Sequence, residues 1–257
     1  MEIAFAFAFG AVVGSFLNVC IWRVPIGKSI VYPGSHCPRC GNPVRARDNI
    51  PILGYLLLRG RCRDCGAAIG IRYPIVEILT GVLVALLLYR FGLSWEFAVN
   101  AVFVAALITI SGIDLDHQII PDVISLPGIV VGLLVSLAGV GPSILDSAIG
   151  VLLGGGLLYG VAVGYQALTG REGMGGGDIK LLAMIGAFLG WRGVLVTLIL
   201  GSLSGAVVGI VMILGRGADT RVAIPFGPFL AAGAIAALFC GDALINWYLD
   251  LAFSMSV

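Results

Sequence analysis

Charged side chains are scarce in this chain. Only 29 of its 257 residues are Asp, Glu, Lys or Arg, which is 11%, whereas a soluble domain carries roughly 25%. With 59% hydrophobic residues and a mean hydropathy of +1.07, the chain has more apolar surface than one soluble core can hide. The shortage of charge therefore excludes an ordinary water-soluble globule and predicts an integral membrane protein.

Long apolar runs predict the helices of this protein. A bilayer core about 30 Å thick needs about 20 apolar residues per helix. Runs of this kind lie at approximately 3–22, 73–91, 96–114, 123–141, 144–168, 178–191, 193–214 and 223–241. We expect the first run to be retained rather than cleaved as a signal peptide, because no basic residue precedes it and no small-residue cleavage site follows it.

The predicted fold is an all-α membrane bundle of about eight helices with a small cytoplasmic insert between the first two. We expect three parts: 1–22 as the first transmembrane helix, 23–72 as the insert, and 73–257 as the remaining bundle. Pairs of glycines four residues apart, such as Gly10/Gly14, Gly150/Gly154 and Gly160/Gly164, predict close packing of helix backbones.

Basic residues are concentrated on one side of the predicted bundle. If eight helices alternate in direction, the loops after the first, third, fifth and seventh share a side, and these loops or their flanks carry 13 of the 15 Lys and Arg residues. The opposite side has only Arg90 and Arg192. The positive-inside rule therefore predicts that the basic side is cytoplasmic and that both termini lie outside.

Four cysteines of the insert form two C-x2-C pairs. The pair Cys37/Cys40 is followed by Gly41 and the pair Cys62/Cys65 by Gly66, which is typical of a tight turn, and 21 residues separate the pairs. Four thiolates around one Zn²⁺ are the expected result, and metal binding would supply much of the folding free energy of so small an insert. Two disulfides, four idle thiols or an iron site are the alternatives, although disulfides seldom persist in the cytoplasm.

Two acidic residues stand at the ends of predicted spans. Asp114 ends the third span and Asp178 begins the sixth, both on the predicted cytoplasmic side. Carboxylates at such depths are costly and are functional candidates by default. If they lie side by side they share a proton, which gives one acid and one base that activate a water against a peptide carbonyl. The sixth span has only 14 residues, so we expect the glycines before it to form irregular backbone lining a wet cavity.

Each acidic residue also has a structural interpretation. Asp178 and Asp122 are candidate N-caps, and Asp114 or Asp116 is a candidate solvated residue of a short loop. Glu77 opens the second span and is a candidate partner for a nearby arginine. A phosphate-binding loop at residues 173–180 is disfavoured, because it lacks the G-K-[ST] ending.

The motifs resemble those of the type IV prepilin peptidase family, membrane aspartic proteases of the GxGD kind that also act as N-methyltransferases. The resemblance covers nearly the whole chain and depends on the order and spacing of its motifs. They are Gly14-Ser15-Phe16-Leu17-Asn18-Val19, the two cysteine pairs, Asp48-Asn49-Ile50-Pro51, Leu57-Leu58-Arg59-Gly60-Arg61-Cys62, Arg72-Tyr73-Pro74-Ile75-Val76-Glu77, Ile113-Asp114, Ile120-Pro121-Asp122, Gly175-Gly176-Gly177-Asp178-Ile179-Lys180 and Ile224-Pro225-Phe226-Gly227-Pro228-Phe229.

The resemblance implies the catalytic residues, substrates and cofactors. The first catalytic aspartate of the family falls on Asp114 and the second on Asp178. The implied activity is cleavage of prepilins or pseudopilins after a glycine, at the cytoplasmic face of the bacterial inner membrane. Methylation of the new N-terminus by S-adenosylmethionine is implied by the resemblance alone, and it leaves the residues that bind the methyl donor unassigned. We expect a lipid bilayer and precursor proteins as partners, and no nucleic acid. A transporter, or a zinc-containing assembly factor without peptidase activity, is the alternative.

Overall fold

The structure is a computed structural model that describes residues 1–170, 175–216 and 224–254. The described part of the chain is built from α-helices and contains no named strand, which confirms the predicted all-α class. The eight helices of this part are α1 (Glu2–Arg23), α2 (Leu53–Leu57), α3 (Arg72–Phe91), α4 (Trp95–His117), α5 (Asp122–Leu137), α6 (Ile144–Thr169), α7 (Gly176–Arg216) and α8 (Gly227–Ser254).

Six of these helices are long and apolar enough to cross a bilayer. They are α1, α3, α4, α6, α7 and α8, whereas α5 has 16 residues and is shorter than a typical span. The predicted sixth and seventh spans both lie on the 41-residue α7. Gly190 divides that helix with a non-helical backbone (φ 68°, ψ −179°), a conformation that glycine adopts without steric cost. The last span begins later than predicted and continues to Ser254.

The helices group into two compact units, Met1–Thr109 (unit 1) and Ile110–Val257 (unit 2), with the boundary inside α4. In unit 1, α1 packs along α3, and Gly10 and Gly14 lie at the contact. A Cβ atom on Gly10 would lie 2.9 Å from the Cα atom of Gly81, and one on Gly14 would lie 2.8 Å from the Cα atom of Glu77. Glycine at these two positions therefore brings the two backbones together, as the spacing predicts.

In unit 2, α7 packs against α5, α6 and α8. The backbones of α6 and α7 meet where Gly150 faces the carbonyl of Gly186, which leaves no room for a side chain on either glycine. The predicted packing role of Gly160 and Gly164 is not observed, because a Cβ atom at either position would meet open space within the described residues. The tight contacts of α7 hold its first turn, which carries Asp178, in a defined place.

Candidate functional site

Asp114 is buried in the last turn of α4, with 5% of its surface exposed. Its Oδ2 atom accepts a hydrogen bond from the backbone N–H of Gly227 at 3.0 Å. Gly227 is the first residue of α8, so this donor is one of the N–H groups that a helix start leaves without an intrahelical partner. The positive end of the α8 dipole and a hydrogen-bond donor thus both favour a carboxylate at this position.

Asp178 lies in the first turn of α7 and is partly exposed. Its carboxyl group is close enough to that of Asp114 for the two to interact electrostatically. The structure therefore brings together the two aspartates that the sequence singles out, from the ends of two helices of unit 2. Asp114 is thus buried, whereas Asp178 is partly accessible to solvent.

Ile120 and two glycines surround the aspartates. A Cβ atom on Gly227 would lie only 2.6 Å from Asp114 Oδ2, and one on Gly177 would lie 2.9 Å from the Cβ atom of Ile120. Ile120 also approaches Gly227, with its Cδ1 atom 3.4 Å from the Cβ position. A side chain at position 227 would therefore displace the Asp114 carboxylate, and one at position 177 would displace Ile120.

The neighbouring acidic residues have other roles. Asp122 begins α5 behind its N-cap Pro121, so the N-cap interpretation is wrong for it. Instead it accepts two hydrogen bonds from Lys180 Nζ, at 2.7 and 2.8 Å. This ion pair joins the first turn of α5 to that of α7.

The other structural interpretations of the aspartates also differ from the structure. Asp178 is inside the first turn of α7 rather than at its N-cap. Asp114 lies within α4 and not in a loop, whereas Asp116 is exposed near the end of that helix. The irregular backbone expected of the glycines before Asp178 is not observed at Gly176 and Gly177, which are the first two residues of α7. Gly175 lies just before the helix, and Gly173 is outside the described residues.

The four insert cysteines form the second chemical site. Their sulfur atoms all lie within 4.8 Å of one another, and this cluster can hold a metal ion. Each pair sits on the same kind of turn, in which Gly41 (φ 75°) and Gly66 (φ 69°) donate backbone hydrogen bonds to the carbonyls of Cys37 and Cys62 at 2.9 Å. None of the four is in a disulfide.

The thiols of the cluster influence one another's ionisation. Backbone N–H groups of Cys40 and Arg39 lower the pKa of the Cys37 thiol to about 6. At Cys40 the backbone N–H of Asn42 acts in the lowering direction, but desolvation and the three neighbouring thiols outweigh it and raise the pKa to about 11. The Cys37 thiol therefore ionises more readily than a free thiol and the Cys40 thiol less readily, and a bound metal ion would favour the thiolate form of both.

The insert is tied together and to α3 by carboxylates. Arg63 binds Asp48 through two hydrogen bonds of 2.8 and 2.6 Å, and this contact lowers the pKa of Asp48. Glu77 of α3 accepts a 2.7 Å hydrogen bond from the backbone N–H of Ile52. Within the described residues, the donor to Glu77 is thus a backbone amide and not the expected arginine.

Comparison with known proteins places these two sites in a family. The model of the bacterial peptidase A24 N-terminal domain matches residues 8–91, and the model of the type IV leader peptidase family matches residues 101–210. A prepilin leader peptidase/N-methyltransferase of Pseudomonas aeruginosa is 40% identical over 266 aligned positions, which cover 95% of this chain and 92% of that protein. The chain belongs to the type IV leader peptidase family.

Other relatives agree with this membership. Proteins of the same name are 39% identical in Aeromonas salmonicida, over 95% of this chain and 92% of that protein, and 44% identical in Myxococcus xanthus, over 83% of this chain and 64% of that protein. No solved structure matches the chain significantly. The resemblance read from the motifs is therefore confirmed.

The two chemical sites of this leader peptidase family member fall in different parts of it. The cysteine cluster lies within the N-terminal match and in unit 1, whereas Asp114 and Asp178 lie within the second match and in unit 2. Motif spacing found both sets of residues. It did not find the roles of Gly227, Lys180 or Glu77, although each belongs to a motif that carried the resemblance.

Proposed function

We propose that this membrane protease cleaves the leader from prepilin or pseudopilin precursors with Asp114 and Asp178 as its catalytic residues. One observation carries the proposal: a buried aspartate, held by the N–H at the start of α8, lies beside a second, partly exposed aspartate on another helix. The names of the relatives, prepilin leader peptidase/N-methyltransferase, supply the substrate class.

The aspartates act as one acid–base unit. One carboxylate takes a proton from water as the water oxygen bonds to the scissile carbonyl carbon. The other carboxyl gives its proton to the leaving nitrogen as the C–N bond breaks. The products are a leader with a free carboxylate and a pilin with a new N-terminal amine, and the pair keeps one proton throughout.

The new amine is the acceptor for the second activity, N-methylation. S-adenosylmethionine would supply the methyl group from its sulfonium sulfur. We assign Zn²⁺ to the four cysteines, because four thiolates within 4.8 Å of one another fit its tetrahedral preference. The ion is structural, since it takes four protein ligands and leaves no position open for a substrate.

We further propose where these activities take place. The distribution of Lys and Arg supports a bacterial inner-membrane location with the aspartates at the cytoplasmic face. Residues 1–22 serve as the first transmembrane helix, 23–72 as the zinc-binding insert, and 73–257 as the peptidase bundle. A transporter or a non-enzymatic assembly factor is disfavoured, because the relatives are named as enzymes.

Single substitutions test the catalytic pair. Asp114→Asn and Asp178→Asn should each lower the cleavage rate of a synthetic precursor by at least about 10²–10⁴-fold, because each removes half of the acid–base unit. Asp116→Asn, an exposed carboxylate two residues from Asp114, is the matched control and should cleave normally. Mass spectrometry separates precursor, leader and product. Full processing by either active-site variant would remove the pair from the mechanism.

A further inference from the structure

Unit 1 contains a cavity of about 450 Å³ that the peptidase reaction does not use. Residues of α1, of α3 and of the cysteine-bearing insert line it, and we call it the insert cavity. Its volume is within the range of pockets that bind small molecules, roughly 300–1,000 Å³. The cavity is therefore large enough for a ligand of nucleoside size.

One wall of the insert cavity carries a buried carboxylate. Glu77 lines the cavity with 7% of its surface exposed. Its Oε2 atom accepts the hydrogen bond from Ile52, and among the described residues this is its one donor. A buried carboxylate normally has a cation or several donors to offset the loss of water. Glu77 is thus suited to receive a cationic group of a ligand.

Another residue of the cavity carries the opposite charge. Arg23 ends α1, lines the cavity and is 5% exposed. Its guanidinium donates to two neutral carbonyls, those of Ser29 at 2.9 Å and Gly34 at 3.3 Å. No ion pair to a carboxylate is observed for it within the described residues. A guanidinium in this state is suited to bind an anionic group, and best a carboxylate.

The same cavity offers aromatic surface. Trp22, Tyr55 and Tyr73 all line it. Aromatic rings of this kind bind flat, weakly polar groups such as a purine by stacking. The insert cavity is therefore lined by a buried carboxylate, a buried guanidinium and three aromatic side chains, which match a ligand that carries a cation, a carboxylate and a heteroaromatic ring.

We infer that the insert cavity is the binding site for S-adenosylmethionine. Glu77 neutralises the cationic sulfonium and amino groups, Arg23 binds the carboxylate, and the aromatic residues contact the adenine. This inference rests on the proposed function, which requires a methyl donor, and it assigns that donor to unit 1 rather than to the aspartates of unit 2. Glu77 and Arg23 are binding residues and take no part in hydrolysis.

Binding measurements on the purified full chain with its zinc test this assignment. Equilibrium dialysis with radiolabelled S-adenosylmethionine should give affinities at least about tenfold weaker for Glu77→Gln and for Arg23→Gln, as expected for loss of a charge-assisted contact. Glu77→Gln keeps an acceptor for the Ile52 amide. The matched controls, Glu96→Gln and Arg192→Gln, change exposed residues outside the cavity and should bind normally.

A neutral probe separates lost charge from lost folding. 5′-Methylthioadenosine has the adenosine and sulfur but neither the carboxylate nor the cationic groups. It should bind the wild type and both cavity variants with equal affinity. Unchanged affinity of both variants for S-adenosylmethionine would overturn the assignment.

Ultraviolet crosslinking uses only the wild-type protein, so it tests the assignment even if a variant loses binding because it unfolds. Irradiation of the wild type with methyl-labelled S-adenosylmethionine should label peptides within residues 15–77, and label confined to residues 110–257 would overturn the inference. A precursor assay on the same wild-type preparation tests the proposed function independently. Cleavage and methylation with label outside the cavity would defeat the inference alone, whereas no cleavage and no methylation would defeat the proposed function.

Discussion

Alanine at position 227 should disable the aspartate pair without disturbing the fold. An ideal Cβ atom there lies 2.6 Å from Asp114 Oδ2, whereas an ordinary contact begins at 3.4 Å. The carboxylate must therefore move by roughly 0.8 Å, and a misplacement near 1 Å costs on the order of 10²-fold in rate. Alanine is otherwise a better helix former than glycine, so the start of α8 should tolerate it.

Steady-state kinetics on a synthetic precursor checks this expectation. For Gly227→Ala, kcat should fall by about 100-fold while KM changes little, because the displaced group acts in the transition state. Gly241→Ala is the matched control on the same helix, since among the described residues its Cβ atom would meet only that of Ala237, at 3.9 Å. Equal kcat values for the two variants would show that the contact between Asp114 and Gly227 does not position the catalytic carboxylate.

Three further substitutions test other parts of the molecule. Cys37→Ser should reduce bound zinc below half an equivalent by metal analysis and expose residues 23–72 to proteolysis, because the metal supplies much of the folding free energy of the insert. Lys180→Met should change the cleavage rate less than about fivefold, since its pair with Asp122 is 39% and 56% exposed and such pairs contribute about 0–1 kcal/mol. Asp178→Asn should fail to methylate an intact precursor but should methylate a peptide supplied already cleaved, as mass spectrometry will show.

The candidate site could be predicted because charged residues are rare in membrane-spanning segments. The chain has so few acidic residues that those at the ends of spans can be considered one by one. Asp114 and Asp178 were identified as candidates because placing a carboxylate at that depth in a membrane is costly. The cysteine cluster was predictable for a related reason, since four thiols in two short turns have few alternatives in the cytoplasm, where the positive-inside rule places this loop. In both cases one residue type carries enough chemistry to indicate a site.

The supporting residues could not be predicted in this way. Gly227 contributes a backbone N–H. The presence of glycine at this position does not indicate that Asp114 accepts a hydrogen bond from it. The break at Gly190 depends on a φ of 68° that many other glycines of this chain also adopt in turns. Hydropathy therefore divided α7 correctly into two spans without identifying Gly190 as the residue of the break. Glu77 was expected to pair with a charge and instead binds a backbone amide. Hydrogen bonds between a side chain and a distant backbone group can be identified only when the fold is known.

The chemistry of the two activities explains why they need different surroundings. The proposed hydrolysis uses water and two carboxylates that share a proton, and Asp178 is partly exposed to solvent. Methyl transfer requires a cationic donor, and the buried carboxylate of Glu77 in the insert cavity favours that cation. The nitrogen that is methylated does not exist as an amine until the peptide bond breaks, so cleavage must come first. Under the two proposals, hydrolysis in unit 2 and methyl transfer in unit 1 take place in different dielectric environments, and the cleaved N-terminus is the intermediate that links them.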